Sequence, residues 1–277
     1  MKKALITGNL GFIGSNLEKE LRSLKWEVDG IDLKAGQDIR TYEFEGKYDV
    51  IFHLAARASI PASFEDPVNI HYNNVYGALR VIEFARKIGA RFVFSSSSSV
   101  YGEPKGIPTH ETDALDYVSP YAFQKREVEE YLRLLNIDSF ALRYFNVFGE
   151  GQEKANEGDN SLALATFLQQ KKEGKPLTIV GTGNQRRDFV YVGDVVRANI
   201  MAAMCDRMDV FRILNVGSGK NYSINEIAEA IDPGGVREYL PARPEPQVGL
   251  AQIGRIKQVL DWEPKVNVID WIKRQKI

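Results

Sequence analysis

The N-terminal segment narrows the choice of fold more than any other. Met1 to Ile6 is an apolar run of strand length, and Thr7-Gly8-Asn9-Leu10-Gly11-Phe12-Ile13-Gly14 follows it without a spacer. Leu17, Leu21 and Leu24 then recur at helical spacing. A strand that turns through Gly8, Gly11 and Gly14 into a helix permits close approach of a pyrophosphate. The free N–H groups of the first helical residues, Phe12, Ile13 and Gly14, are the donors it offers. The glycine spacing alone is common, and its place between strand and helix is what gives it weight.

A second strand, Glu27 to Ile31, delivers Asp32, 18 residues after Gly14. A carboxylate there accepts from ribose hydroxyls and repels a 2′-phosphate, which favours NAD over NADP; a solvated turn aspartate is the alternative. Asp38-Ile39 follows as a flank for the adenine. Asp49 to Leu54 reads as a third strand ending in Ala55-Ala56, small residues beside which a dinucleotide can lie; Leu54, Ala55 and Ala56 are therefore candidate contacts. His53 fits a packed strand position better than a ligand. Asn73-Asn74-Val75 opens a helix that stops at Gly89. Strand and helix in alternation predict a parallel sheet covered on both faces, an α/β doubly wound architecture.

Downstream, Phe92-Val93-Phe94 runs into five serines, Ser95 to Ser99, and then Val100-Tyr101-Gly102. A serine run is often a linker, but linkers do not continue β-rich apolar runs, whereas a strand end opening on a ligand crevice does. Tyr121 lies 24 positions after Ser97, within Ser119-Pro120-Tyr121-Ala122-Phe123-Gln124-Lys125. Ser119 suits a helix cap and Pro120 a first turn. Tyr121 and Lys125 then share a face, where an ammonium near a phenol favours the phenolate.

A net charge of −1 with 44% hydrophobic and 26% charged residues gives no reason to expect a nucleic-acid or membrane partner. Cys205 is the only cysteine, and His53, His71 and His110 have no metal spacing, so no metal site is expected. Without a signal-like N-terminus or a bilayer-length apolar run, the expected setting is the cytoplasm.

With the glycine loop, Asp32, His53-Leu54-Ala55-Ala56, Asn74, the serine-rich strand end and Tyr121/Lys125 in one order, the chain resembles the extended short-chain dehydrogenase/reductase family. More narrowly it is similar to the NAD-dependent nucleotide-sugar epimerases of the UDP-glucose 4-epimerase type. The resemblance implies a Rossmann NAD-binding domain over 1–148, with a returning segment near 188–204, and a smaller α/β nucleotide-sugar domain over 149–277. It also implies Tyr121 as base, Lys125 on the nicotinamide ribose lowering the tyrosine pKa, and Ser97 on the reacting sugar hydroxyl. Asn74 and Tyr144 would contact the cofactor. Asn146, Arg187 and Arg243 would contact the sugar diphosphate, although Arg187 reads equally as a solvated loop arginine. The family's dehydratases and decarboxylases carry a carboxylate where Ser98 or Ser99 stands; the hydroxyls here favour epimerisation.

Three departures stand out. Asn9-Leu10 replace small residues in the glycine loop, only five residues separate Asp32 from Asp38, and Glu245-Pro246 replaces Gly-Asp after Arg243. The polar stretch Glu150 to Asn160 reads as a mobile loop that orders over substrate or is inert surface. Leu214 to Ile227 is expected to pack within the small domain. The implied activity is C4 epimerisation of a UDP-sugar through a 4-keto intermediate with bound NAD. A nucleotide-sugar dehydrogenase, reductase or dehydratase, or a non-catalytic NAD-binding scaffold, are the alternatives. The helices around Val75–Ile88 and Pro120–Leu135, through Val128, Leu132 and Leu135, offer a homodimer contact or, alternatively, core.

Overall fold

The computed structural model describes residues 1–155, 162–206, 211–242 and 245–275. Strand β1 (Lys3–Thr7), helix α1 (Phe12–Ser23), β2 (Glu27–Ile31) and β3 (Val50–His53) come first. Two short helices, α2 (Ile60–Glu65) and α3 (Pro67–His71), lead through a π-helical turn at Tyr72–Tyr76 into α4 (Gly77–Ile88). Gly89, at φ 70°, ends that helix. Strand β4 (Arg91–Ser97), helix α5 (Pro120–Leu134) and β5 (Ser139–Tyr144) follow.

The rest of the chain runs β6 (Asn146–Phe148), α6 (Ala163–Lys172), β7 (Leu177–Val180), β8 (Arg186–Tyr191), α7 (Val192–Met204) and β9 (Phe211–Val216). It ends with β10 (Asn221–Ser223), α8 (Ile224–Ile231), β11 (Arg237–Leu240), α9 (Gly254–Leu260) and α10 (Val268–Arg274).

The main sheet has six parallel strands in the order β2-β1-β3-β4-β5-β9. Alternate residues of each strand feed opposite cores, as the two-residue period of a strand requires. Ala4 and Ile6 pack with α1, α7 and α9 on one face. Leu5 packs with α4 and α5 on the other. A smaller unit holds the sheets β10-β8-β6 and β11-β7, with α6, α8 and α10 around a separate core.

Two expectations are corrected here, and one departure is explained. The main sheet takes back more chain than 188–204: β9 is its sixth strand, and α9 with Trp262 packs into its core, so Leu214-Asn215-Val216 belongs to the large unit. Val128 and Leu132 are 1% and 0% exposed and face the sheet, so they are core and not a subunit face. Finally, a Rossmann sheet ordinarily carries a third strand outside the second. Here β2 is the edge. After Asp32 the chain makes a 3-10 turn at Leu33–Ala35, reverses through Gly36 at φ 76°, and bonds Gln37 N to Asp32 O at 3.1 Å. The five-residue gap thus replaces a strand with a turn. Arg22 covers the bared edge by donating to Val28 O at 2.8 Å.

Helix α8 carries a complete capping box, with Glu226 N donating to Ser223 Oγ at 3.0 Å and Ser223 N to Glu226 Oε2 at 2.7 Å. Ser223→Ala should therefore lower stability by about 1 kcal/mol. Urea unfolding measures this, and the glycine-loop end of the large unit should be untouched.

Candidate active site

The glycine loop is built on contact distances that exclude side chains. A Cβ on Gly14 would fall 2.0 Å from Gly8 O, and one on Gly8 would fall 2.7 Å from Ala55 N, at a φ of +79°. The loop thus presses against the end of β3 while α1 presses against the loop. Gly11 is the N-cap of α1 and has no side-chain cap, so the first N–H groups of the helix face the crevice. Asn9 does not obstruct it. Its amide donates to Glu18 at 2.9 Å and lies over Gly30, where a Cβ would fall 2.2 Å from Asn9 Nδ2. The bulkier loop residue is accommodated because β2 has a glycine beneath it.

Asp32, at the end of β2, accepts from Leu10 N at 3.0 Å and from Lys34 N at 2.8 Å. Two carboxylate oxygens have lone pairs beyond these bonds, so ribose hydroxyls can still be accepted. Asp38 is forked by Arg40 at 2.9 Å and 2.5 Å, and this guanidinium holds its carboxyl below the usual range. Ile39 is buried against Gly77 rather than lining an open face. Leu54, Ala55 and Ala56 are half-buried beside the glycine loop. His53 is a core residue: it meets Thr7 Oγ1 at 2.7 Å, and burial pushes its imidazole down to about 3.

Asn74 departs from the cofactor-contact role. Its Oδ1 accepts from Arg57 N at 2.8 Å and from Asn73 Nδ2 at 3.0 Å, and its Nδ2 donates to Arg57 O at 3.1 Å and Gln124 Oε1 at 2.9 Å. The side chain is spent bracing the segment after β3 against α5.

Ser119 caps α5 by accepting from Ala122 N at 3.2 Å, and Pro120 occupies its first turn. Tyr121 N donates to Ser63 Oγ at 3.2 Å, which fixes the helix start against α2. The Tyr121 phenol lies close enough to the Ser97 side chain for that hydroxyl to pull its pKa down, and Lys125 Nζ stands 5.8 Å from the Tyr121 ring centre. Lys125 donates to Ser95 O at 2.6 Å. The structure therefore brings Ser97, Tyr121 and Lys125 together at the carboxyl end of β4.

Their electrostatics correct one expectation. Burial pushes Tyr121 up to about 12, with the Ser97 hydroxyl pulling it back in part, and burial pushes Lys125 down to about 7 against the charge of Glu129. Lys125 does not lower the phenol here, because desolvation weakens its own hold on a proton.

Tyr144 turns its side chain away, with its hydroxyl donating to Asn199 at 2.9 Å in the core between β5 and α7. Only its backbone lies at the site, paired with Ser97 in the sheet register. Asn146 is half-buried at the start of β6. Arg187 is held by Glu245, the residue at the third departure, at 2.8 Å, and donates also to Arg186 O at 3.0 Å. Arg243 lies outside the described residues, as do positions 156–160 of the polar stretch.

Sequence reasoning missed a buried group beneath the site. Ser96 Oγ donates to Glu129 at 2.6 Å, and Arg143 forks Glu129 at 2.9 Å and 2.7 Å. Two signals were present: Glu129 continues the helical stripe of Tyr121 and Lys125, and Arg143 interrupts an apolar strand. No group of metal-ligating side chains occurs among the described residues.

A parallel six-stranded sheet with a glycine loop at one crevice and a Ser-Tyr-Lys group at the neighbouring strand end defines an extended short-chain dehydrogenase/reductase. A model of the NAD dependent epimerase/dehydratase family matches residues 4–217. The chain belongs to that family. It is 34% identical over 304 aligned positions to a putative UDP-glucose 4-epimerase of Methanocaldococcus jannaschii, covering 98% of this chain and 96% of the relative. It superposes with a TM-score of 0.88 and 30% identity on a UDP-N-acetylglucosamine 4-epimerase from Methanobrevibacter ruminantium solved with UDP-N-acetylmuramic acid, covering 98% of this chain and 96% of the other. A Thermotoga maritima UDP-glucose 4-epimerase solved with UDP-glucose gives a TM-score of 0.87 at 29% identity, again covering 98% and 96%.

The depressed Lys125 makes a prediction for the ligand-free protein. Its folded pKa lies below the unfolded one, so between about pH 7 and pH 10.5 the unfolded chain holds a proton that the folded chain has released, and stability rises with pH. Lys125→Met removes this. Wild type should gain on the variant by up to about 1.4 kcal/mol per pH unit in that window, measured by urea unfolding at pH 7, 8 and 9.

Proposed function

We propose that this chain is a nucleotide-sugar C4 epimerase that uses NAD and acts on UDP-glucose and UDP-galactose or their N-acetylated equivalents. The observation that carries the reading is the grouping of Ser97, Tyr121 and Lys125 at a strand end beside the glycine loop. Tyr121 takes the proton of the sugar 4-hydroxyl and later returns it. Ser97 orients that hydroxyl, and Lys125 holds the nicotinamide ribose. NAD, when bound, supplies the acceptor that stores the C4 hydride.

The residues present fit that cofactor. The glycine loop is packed against the end of β3 too closely for side chains, the N-terminus of α1 beside it has no side-chain cap, and Asp32 stands at the end of the neighbouring strand. Arg187 and Arg243 anchor the diphosphate, so the sugar can turn while the nucleotide stays bound. Arg187 must then share or leave Glu245. Ser98 and Ser99 put hydroxyls where elimination or decarboxylation calls for a carboxylate.

The edge position of β2 favours a second reading, a net nucleotide-sugar dehydrogenase with exchangeable NAD, because the adenosine end lacks a flanking strand. The two differ in whether reduced nicotinamide accumulates during turnover. The chain is also proposed to work in the cytoplasm as a homodimer. Tyr76, Leu79, Tyr131 and Leu135 line an outward groove between α4 and α5 that supports this contact. No described helix is long and apolar enough to cross a membrane.

Purified protein given UDP-galactose or UDP-N-acetylgalactosamine should form the 4-epimer without added reductant, and Tyr121→Phe should reduce the rate by at least about a hundredfold. Product is followed by chromatography; a Tyr121→Phe variant of normal rate would falsify the base assignment. Light scattering at micromolar concentration should give twice the mass of the chain.

A further inference from the structure

Helix α5 meets the serine end of β4 through three side chains a turn apart. Tyr121 engages the Ser97 side chain, Lys125 donates to the Ser95 carbonyl at 2.6 Å, and Glu129 accepts from the Ser96 hydroxyl at 2.6 Å. Three consecutive serines are thus matched to one stripe of the helix. Only the third helical contact carries a negative charge, and it is fully buried, at 0% side-chain exposure.

We propose that Glu129 is a positioning residue for the catalytic pair: it sets α5 in register with the serine end of β4 and places a buried negative charge one turn from the Lys125 ammonium. The proposal rests on the reading that Lys125 holds bound NAD.

The charged and titratable groups around the pair are few. His53 on β3 is neutral, and Tyr121 is a protonated phenol. Arg143 on β5 and Arg126 on α5 both bond Glu129, and Tyr101 lies under the Arg143 guanidinium at 4.8 Å from its ring centre. Of these, Glu129 is the one that favours the Lys125 cation, whereas burial opposes it. Lys125 in turn is bonded to the backbone of the strand that Glu129 grips. Removing the carboxylate should therefore loosen the register and discharge the lysine together.

The test measures NAD binding by titration calorimetry from pH 6 to pH 9, independently of any sugar. Glu129→Gln alone would strand a buried guanidinium, so it is made together with Arg143→Met. In the double variant, binding should be close to wild type at pH 6 and about tenfold weaker at pH 8, because the limb on which Lys125 loses its proton moves down by about one pH unit. A purely structural role would lower the melting temperature without moving that limb.

Arg126→Met gives the opposite sign. Arg126 neutralises Glu129 from the solvent side at 3.0 Å, so its removal should move the limb upward. A folded double variant whose limb coincides with wild type overturns the inference. Should that variant not fold, an Arg126→Met limb that does not move overturns it equally. Wild-type protein that binds no NAD at any pH would sink the cofactor reading and this inference with it, whereas NAD binding with unmoved limbs sinks the inference alone.

Discussion

The ion pair between Glu129 and Arg143 is the contact on which the site rests. Both side chains are almost wholly buried, at 0% and 1% exposure, and the pair joins α5 to β5 beneath the serine strand. Such a pair adds little net stability compared with apolar residues of the same shape, because removing two charges from water offsets their attraction. Breaking it is another matter, since a lone buried charge costs several kcal/mol. The pair therefore bears more on geometry than on stability, because another register of α5 would strand a buried charge. From Arg143 the order spreads outward, through Tyr101, whose hydroxyl donates to Asn215 at 2.6 Å, to Glu111, which accepts from Asn215 N at 2.9 Å.

The large fold was legible because its signals are local. A strand, a glycine turn and a helix within two dozen residues declare themselves by period and by the spacing of Gly8, Gly11 and Gly14, and the contacts explain why no side chain fits there. The cap and first turn at Ser119 and Pro120 were legible for the same reason. Even the short run from Asp32 to Asp38 announced that a segment was missing from the chain. What it did not reveal was that the missing piece is a strand, because an absence in sequence carries no periodicity.

Side-chain roles were less legible because they depend on partners distant in the chain. Asn74 looks like a free amide until Arg57 and Gln124 take its atoms, and Tyr144 looks like a site residue until Asn199, 55 positions on, takes its hydroxyl. The division of the chain failed similarly. Leu214 to Val216 has the same apolar character whichever sheet it joins, and only its pairing with β5 decides the matter. Glu245 shows the limit most plainly: in sequence it is only a departure from a motif, whereas in the fold it grips Arg187.

Burial acts on Tyr121 and Lys125 in opposite directions on the pH scale but toward the same end, which is neutrality. A phenol near 12 keeps its proton and an ammonium near 7 gives up part of its own, so at neutral pH the ligand-free tyrosine is uncharged and the lysine only partly charged. Desolvation works against any charge placed alone in the crevice. An anionic ligand changes the balance, because negative charge nearby favours the protonated lysine, and a protonated lysine favours the phenolate. The charge state of the pair is therefore a property of the filled site. A buried tyrosine kept as phenol until the crevice is occupied would not abstract protons from water or from neighbouring hydroxyls, and the fold achieves this with two ordinary side chains, one turn of helix and the exclusion of solvent.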